Sequence, residues 1–496
     1  MSNNQLSIIQ SGSNNQFISH FRFTVRQLLS FAHCLLITVH CSLFTANAQE
    51  IFTASAFYDN IRLYHPLVRQ SALFQEEVRA EIMQARGAFD PKLFSSFDRK
   101  EFGRDLYYNK WRAGVSVPLK LAGADVKVTY DDNQGLYINP EDNVPNTGLL
   151  ALGLSVPLGQ GLLTDARRTA LRQAQAATTL AEADRLKLIN KTLFDAAKTY
   201  WDWFLAYRQF TLIDEGYRLA DTRFRAVRQR ATLGDAAMID TTEALITAQD
   251  RLVQRQQAEV DLQNARLAVS TFLWADGAAP LDLPAMVAPE SPVNGILPES
   301  VVQALLDSAA KRHPELLKLD GKAQQLALDE RFWRQMVRPQ LSVNAMFLSK
   351  TDTPGVGYDL SSYYAFRPEN HKIGIDFVLP VFLRKERGKL RQIQVKQQQV
   401  VFDRQQTSRD ILNDVRAAYN SLLTLADQLT VQSQTVQNQE VLLRAEQQKF
   451  DLGESSLFLV NTRETKLIDL RIKREELRAK YQKAVAQLYF TAGTTR

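Results

Sequence analysis

The stretch Leu171-Arg172-Gln173-Ala174-Gln175 recurs as Leu390-Arg391-Gln392-Ile393-Gln394, 219 residues further along the 496-residue chain. The same spacing then continues without a gap. Identical pairs at this spacing include Asp195 with Asp414, Tyr200 with Tyr419, Gln229 with Gln448, and Asp250 with Asp469. Chance does not hold one register over such a length, so the sequence predicts a tandem duplication of one structural unit.

A second spacing, of 248 residues, relates the beginnings of the two copies. It brings His65-Pro66 to His313-Pro314 and Pro91-Lys92-Leu93 to Pro339-Gln340-Leu341. Because the two spacings differ by 29, the first copy holds 29 additional residues between its proline and its long helix. That length is enough for about two strands and a turn. The sequence leaves open whether they add strands to a membrane barrel or fold as an outer hairpin.

The duplication divides the chain into four predicted parts. Residues 1–48 form a signal peptide, 49–278 the first repeat, 279–298 a connector rich in proline and alanine, and 299–496 the second repeat. The first part has no Asp or Glu, carries an apolar stretch, and ends in Ala46-Asn47-Ala48, as secretory signals do.

Both cysteines, Cys34 and Cys41, lie in the predicted signal. The mature chain is therefore expected to form no disulfide and no thiolate metal site. Lipid attachment at Cys41 is not expected, because His40 stands where such a signal has a small residue.

Two long helices dominate the predicted secondary structure. Between Asp165 and Arg230 there is no proline and one glycine, Gly216, while apolar side chains recur at steps of three and four residues. The second copy repeats the pattern, so each copy is expected to form a rod on the order of 95 Å long with a coiled-coil-like seam. A compact domain needs no rod of that length, which favours the wall of a tunnel.

Each rod is predicted to turn back at a glycine. Leu233-Gly234-Asp235 and Leu452-Gly453-Glu454 suit a left-handed glycine between two helices. The predicted ends of the two return helices, and of the shorter helices after the His-Pro sites, are Thr271, Phe490, Ala88 and Met336. A shorter and a return helix stacked end to end nearly match one rod, so each copy supplies two columns.

Alternating apolar residues predict about four strands per chain. The clearest segments are 150–156, 341–347 and 373–379; segment 92–97 is weaker, and 111–119 and 126–130 fall within the excess. Strands of this kind suit lipid outside and water inside, and the alternative is a soluble sheet covered by helices. Open edges are not tolerated in hydrocarbon, so closure needs partner chains, and three chains give about twelve strands.

The composition argues against nucleic-acid binding and catalysis. The net charge is +6, but Lys and Arg alternate with Asp and Glu along helical segments, which indicates solvated faces. We find no glycine-rich phosphate loop, no His-Glu-x-x-His and no Gly-x-Ser-x-Gly, so no enzyme, cofactor or catalytic residue is predicted. For His65 and His313 a capping role before a helix-starting proline is favoured over metal binding.

The two His-Pro helix starts, the paired glycine turns and the junctions Val156-Pro157-Leu158 and Leu379-Pro380-Val381 together resemble the TolC family of outer-membrane efflux and secretion channels. The resemblance implies a mainly α fold with membrane strands, in a homotrimer that joins a transmembrane β-barrel to an α-helical barrel. It implies a location in the outer membrane of a Gram-negative bacterium, with an extension into the periplasm. The implied role is the passive exit duct of a tripartite efflux pump or type I secretion system. A periplasmic adaptor and an inner-membrane transporter are the implied partners.

The resemblance also assigns residues. The contact with the adaptor falls on the two turns, at Leu233, Gly234, Asp235, Asp240, Leu452, Gly453 and Glu454. Relatives narrow the tunnel mouth with acidic residues and a tyrosine near the second turn, whereas this chain has Phe450, Leu457, Phe458 and Leu459. We therefore expect a hydrophobic constriction here. A soluble periplasmic adaptor is the rival interpretation, but one helical hairpin would suffice for it and this chain has two.

Overall fold

The computed structural model describes residues 50–235, 237–292, 295, 297–350 and 366–494. The predicted signal peptide and its cysteines lie outside the described residues. The chain divides into two compact units. In the smaller one, β1 (Ile51–Phe52) pairs with β6 (Ala288–Pro289), and the Ala288 amide donates to the Glu50 carbonyl at 2.9 Å.

The larger unit contains the helices and the main sheet. Its first-repeat helices are α1 (Ala54–Tyr64), α2 (Pro66–Arg86), α3 (Ala166–Thr232) and α4 (Met238–Ser270). Its second-repeat helices are α5 (Glu299–Arg312), α6 (Pro314–Met336), α7 (Arg384–Asp451) and α8 (Leu457–Thr491). The predicted helix ends agree with these bounds within two residues.

The long helices α3 and α7 have 67 and 68 residues, which corresponds to about 100 Å each. Asp165 caps α3 by accepting the Arg168 amide at 2.7 Å. The buried residues Val415, Leu422, Leu429, Val436 and Leu443 of α7 recur every seventh position. A seven-residue repeat keeps one seam facing the partner helix, as in a coiled coil. Helix α8 packs along this seam and also against α3, so the two repeats share one helical core.

Histidine caps begin the equivalent helices α2 and α6. The Nδ1 atoms of His65 and His313 accept the backbone amides of Leu67 and Glu315, both at 3.2 Å. Burial lowers the pKa of both imidazoles, which favours the neutral form that can accept these bonds. The predicted capping role of both histidines is confirmed.

One antiparallel sheet of six strands carries the order β2-β3-β4-β5-β7-β8. Its strands are Lys92–Phe102 (β2), Asp105–Pro118 (β3), Asp125–Gln134 (β4), Leu149–Pro157 (β5), Gln340–Lys350 (β7) and His371–Val378 (β8). The prediction of about four strands was wrong, and the sheet has six. The 29 additional residues of the first repeat form most of β3 and β4 inside the sheet. These two lie between β2 and β5, so no outer hairpin is formed.

No helix in the described part of the chain combines the length and the apolarity needed to cross a membrane.

Candidate functional site

The main sheet has one continuous apolar face, which is one of two candidate functional surfaces. Strand residues alternate between faces, and the pairing register brings most of the apolar residues of the six strands to the same side. One row across the strands is Phe97, Trp111 and Asp132. The row four residues further along is Leu93, Val115, Val128, Leu152, Phe347 and His371. The apolar members of these rows are exposed, from 36% at Val115 to 83% at Leu93. Exposed apolar area of this extent marks a surface that meets lipid or protein.

The opposite face is polar. Small and polar residues, such as Ala151, Gly153 and Ser155 of β5, share this side with charged residues of the neighbouring strands. Ser155 donates to Asn344 at 2.5 Å, and Asn344 donates to Asp376 at 2.6 Å, so one polar chain crosses three strands. Arg112 and Asp131 form an ion pair on the same side. A sheet with one lipid-compatible and one hydrated face can line a water-filled pore.

The second candidate surface is the pair of interhelical turns, which have one geometry. Gly234 and Gly453 have φ of +85° and +79°. The Asp235 amide donates to the Arg230 carbonyl at 2.9 Å, and the Glu454 amide to the Lys449 carbonyl at 2.8 Å. These bonds, with the glycine amides bonded one turn back, are the Schellman ending of a helix. The predicted left-handed glycine turn is confirmed in both copies.

Each turn exposes large apolar side chains. Leu233 and Leu452 directly precede the two glycines, and they are 70% and 75% exposed. Met238 and Ile239 add exposures of 73% and 75% in the first turn of α4. Asp240 lies in the same helical turn, where the positive end of the helix dipole stabilises its carboxylate.

A polar cluster joins the two helical hairpins near these turns. Arg223 of α3 donates to Asn461 at 2.7 Å and to Glu464 at 2.6 Å, both on α8. Arg251 of α4 donates to Thr465 at 2.8 Å. Asn461 and Glu464 are each 8% exposed and Arg251 is 4% exposed. A buried carboxylate is stable only when it is paired, so the Arg223–Glu464 ion pair helps to fix α8 against α3, and the hydrogen bond of Arg251 joins α8 to α4.

Residues 305–494 match the model of the outer membrane efflux protein family. The match covers most of the second repeat. A search of curated proteins finds no matching sequence.

Solved structures match most of the chain. The CmeC outer membrane channel of Campylobacter jejuni aligns with a TM-score of 0.61 at 14% identity, over 89% of this chain and 85% of that one. The MtrE outer membrane channel of Neisseria gonorrhoeae, in its open state, gives 0.63 at 15% identity over 89% of each chain. The outer membrane protein VceC of Vibrio cholerae gives 0.61 at 14% identity, over 89% and 96%. The chain therefore has the fold of these outer membrane channels.

The residues expected at a constriction divide into two groups within this efflux-channel fold. Leu457 is 4% exposed and packs with Val227, Ala244 and Phe450 between the hairpins. Phe458 and Leu459 are 62% and 40% exposed. Phe458 also borders a groove of about 530 Å³ between α4 and α8, with Glu243, Asp250 and Lys466 on its walls. Leu457 and Phe450 thus contribute to packing, and the constriction remains a proposal for Phe458 and Leu459.

The polar cluster was not predicted, although the repeat contains a signal for it. At the 219-residue spacing, Arg223 corresponds to Leu442 and Glu464 corresponds to Leu245. A charged residue in one copy therefore stands where the other copy has leucine, and both charged members lie at one interface. Comparing the copies position by position would have identified this pair. Within the described residues, no group of three or more His, Cys, Asp or Glu is placed to hold a metal ion.

Proposed function

We propose that the protein is the outer-membrane exit duct of a tripartite efflux or type I secretion assembly, and that it acts as a homotrimer. The continuous apolar face of the six-stranded sheet carries the proposal, because such a face in one chain with two long helical hairpins is explained by a membrane-embedded pore. A barrel buries this face in lipid and turns the polar face towards the lumen. The helices α3 and α7, about 100 Å each, then reach into the periplasm and form the tunnel wall with those of two other chains.

Closure is the reason for the trimer. The backbone groups at the edges of an open sheet cannot remain unpaired in hydrocarbon. One chain with six strands cannot close around a lumen of useful width, since eight strands leave an interior filled by side chains. Three chains can close one barrel and one helical tunnel together.

The exposed turns are the proposed adaptor contact. Leu233 and Leu452 present apolar side chains at the ends of the helical hairpins, and the acidic residues Asp235 and Glu454 follow them. A coiled-coil adaptor could bury the leucines and pair with the carboxylates, as interfaces with an apolar centre and a polar rim do. The transporter would act through the adaptor, and this chain would conduct passively.

Membrane extraction and single-channel recording test the duct. We expect the protein in the outer-membrane fraction, released only by detergent, with the mass of three chains and with ion-conducting activity in planar bilayers. A chain that stays in the soluble periplasmic fraction would contradict the proposal and favour the adaptor interpretation.

Cysteine cross-linking tests the adaptor contact. Leu233→Cys and Leu452→Cys each place a thiol at a turn, and we expect both to cross-link to a copurifying periplasmic protein. Leu219→Cys is a matched control, since Leu219 is 50% exposed but lies on α3 away from the turn. Equal cross-linking of all three variants would count against a specific contact at the turns.

A further inference from the structure

We infer that the inserted strands β3 and β4 are part of the barrel wall, so that the trimer closes an eighteen-stranded barrel in which β2 of one chain pairs with β8 of the next. This inference rests on the proposed function and specifies its membrane part. Twelve strands follow from two strands in each repeat, and the first repeat departs from that arrangement.

The position of the insertion carries the inference. The strands equivalent by the repeat are β2 with β7 and β5 with β8, and β7 pairs directly with β8. In the first repeat, β2 and β5 are separated, because β3 pairs with β2 over eleven positions and β4 pairs with β5 over seven. An outer hairpin would have left β2 beside β5. The insertion is therefore built into the sheet.

The inserted strands also continue the faces of the older ones. Val115 and Val117 of β3 lie on the apolar side with Val126 and Val128 of β4, in register with Leu152 and Leu154. Trp111 lies on the same face beyond Val115, its ring centroid is 5.8 Å from that of Tyr130, and its indole donates to Ser95. Aromatic rings at the end of an apolar band are typical of a membrane interface.

The edges of the sheet permit closure between chains. In the part of the chain that the structure describes, β2 and β8 each pair on one side only. Strand β2 leaves helix α2 and β8 leads into helix α7, so the two edges run in opposite directions and can pair in an antiparallel ladder. Both edges are exposed along nearly all their length.

The circumference supports eighteen strands. Four helical columns per chain give twelve in a trimer, and a spacing of about 8–10 Å makes a ring of about 96–120 Å. Strands 4.8 Å apart and tilted by about 40° give a ring of about 113 Å for eighteen strands but only about 75 Å for twelve. The wider barrel continues the helical tunnel without a narrowing at the junction.

The repeat predicts the register of the new pair. Ser155 of β5 lies opposite Asn344 of β7. The strand-to-helix junctions of the two repeats are 223 residues apart, so Ser155 of β5 corresponds to Val378 of β8. The strand starts are 248 residues apart, so Asn344 of β7 corresponds to Ser96 of β2. The repeat therefore places Val378 of one chain opposite Ser96 of the next. Both residues lie on the polar face.

Disulfide formation tests the pairing, because the chain has no cysteine outside residues 1–48. We expect Ser96→Cys with Val378→Cys to link neighbouring chains into covalent oligomers that survive heating in detergent without reductant. Ser96→Cys with Asp376→Cys covers a two-residue shift on the same face. The matched control is Ser96→Cys with Phe377→Cys, in which the second thiol lies on the opposite face, and it should stay monomeric.

A second measurement needs no new bond. If β3 lies in the barrel wall, brominated phospholipids should quench part of the tryptophan fluorescence of the wild type. This quenched part should be absent in Trp111→Phe. Trimers that conduct ions but show neither same-face cross-linking nor quenching of Trp111 would overturn the eighteen-stranded barrel and leave the proposed function standing. Failure to form trimers or to conduct at all would overturn both.

Discussion

His65 and His313 show how one residue type sets a boundary in both repeats. Each accepts an amide at the first turn of its helix and precedes a proline whose fixed φ suits that position. Only the neutral ring can accept through Nδ1. Because His-Pro is a local signal, the sequence alone was sufficient to predict these caps. Protonation of either ring at Nδ1 is therefore coupled to the loss of its capping hydrogen bond.

Acid should weaken these caps. Burial holds the folded-state pKa of both rings below the ordinary 6.5, so the unfolded chain binds protons first as the pH falls. Their stabilisation is complete above about pH 6.5 and is lost as the pH falls through the lowered pKa. The double variant His65→Asn with His313→Asn keeps a capping acceptor that does not titrate.

The thermal midpoint of this variant in detergent should therefore change less between about pH 7 and pH 5 than that of the wild type. His371→Asn is the control, since it removes an exposed histidine of β8. An unchanged pH dependence in the double variant would contradict the linkage.

Phe458 and Leu459 carry the second prediction at this scale. If these exposed side chains narrow the tunnel, they oppose wetting, and polar replacements should raise conductance. We expect Phe458→Ser with Leu459→Ser to increase single-channel conductance several-fold. The control Leu219→Ser has comparable exposure and should conduct as the wild type does. No increase in the double variant would exclude these residues as the constriction.

At the scale of helices and strands, the helix ends could be predicted from local sequence, whereas the pairing of the strands could not. The ends of α3 and α7 follow from Gly234 and Gly453, because a left-handed residue stops a helix wherever it occurs. The number of strands depends on which segments meet across the sheet. Strand β2 contains the charged run Asp98 to Glu101, which hides its alternation, and only its pairing with β3 makes it an eleven-residue strand.

The interface between α3 and α8 allows a sharper test, because the other copy supplies the replacement residues. Glu464→Leu alone leaves Arg223 half-buried without its carboxylate, which should cost about 3 kcal/mol. Adding Arg223→Leu restores the leucines that the other copy has at both positions, and most of the loss should be recovered. A double-mutant cycle on the midpoint of chemical unfolding gives the coupling energy. Additive losses would show that the pair does not hold the hairpins together.

The whole molecule is a duplicated unit whose copies have diverged at both ends. The inserted strands enlarge the sheet of the first repeat, and charged residues replace leucines where its hairpin meets the second. The sequence showed the insertion by length alone, and the structure shows which faces it extends. Insertion and charge replacement thus make the two halves of the chain different at the sheet and at the interface between the hairpins.

One charge on the insertion tests that arrangement. Lys127 of β4 is exposed and lies on the polar face, in register with Ser116 and Gly153. If that face lines the lumen, Lys127→Glu changes the lumen charge by −2 per chain and −6 per trimer, which should lower the preference for anions in reversal potentials under a salt gradient. Arg99→Gln, which removes a charge on the other side of the sheet, should leave the preference unchanged. Equal effects of both variants would mean that the faces of the sheet are not separated by a barrel wall.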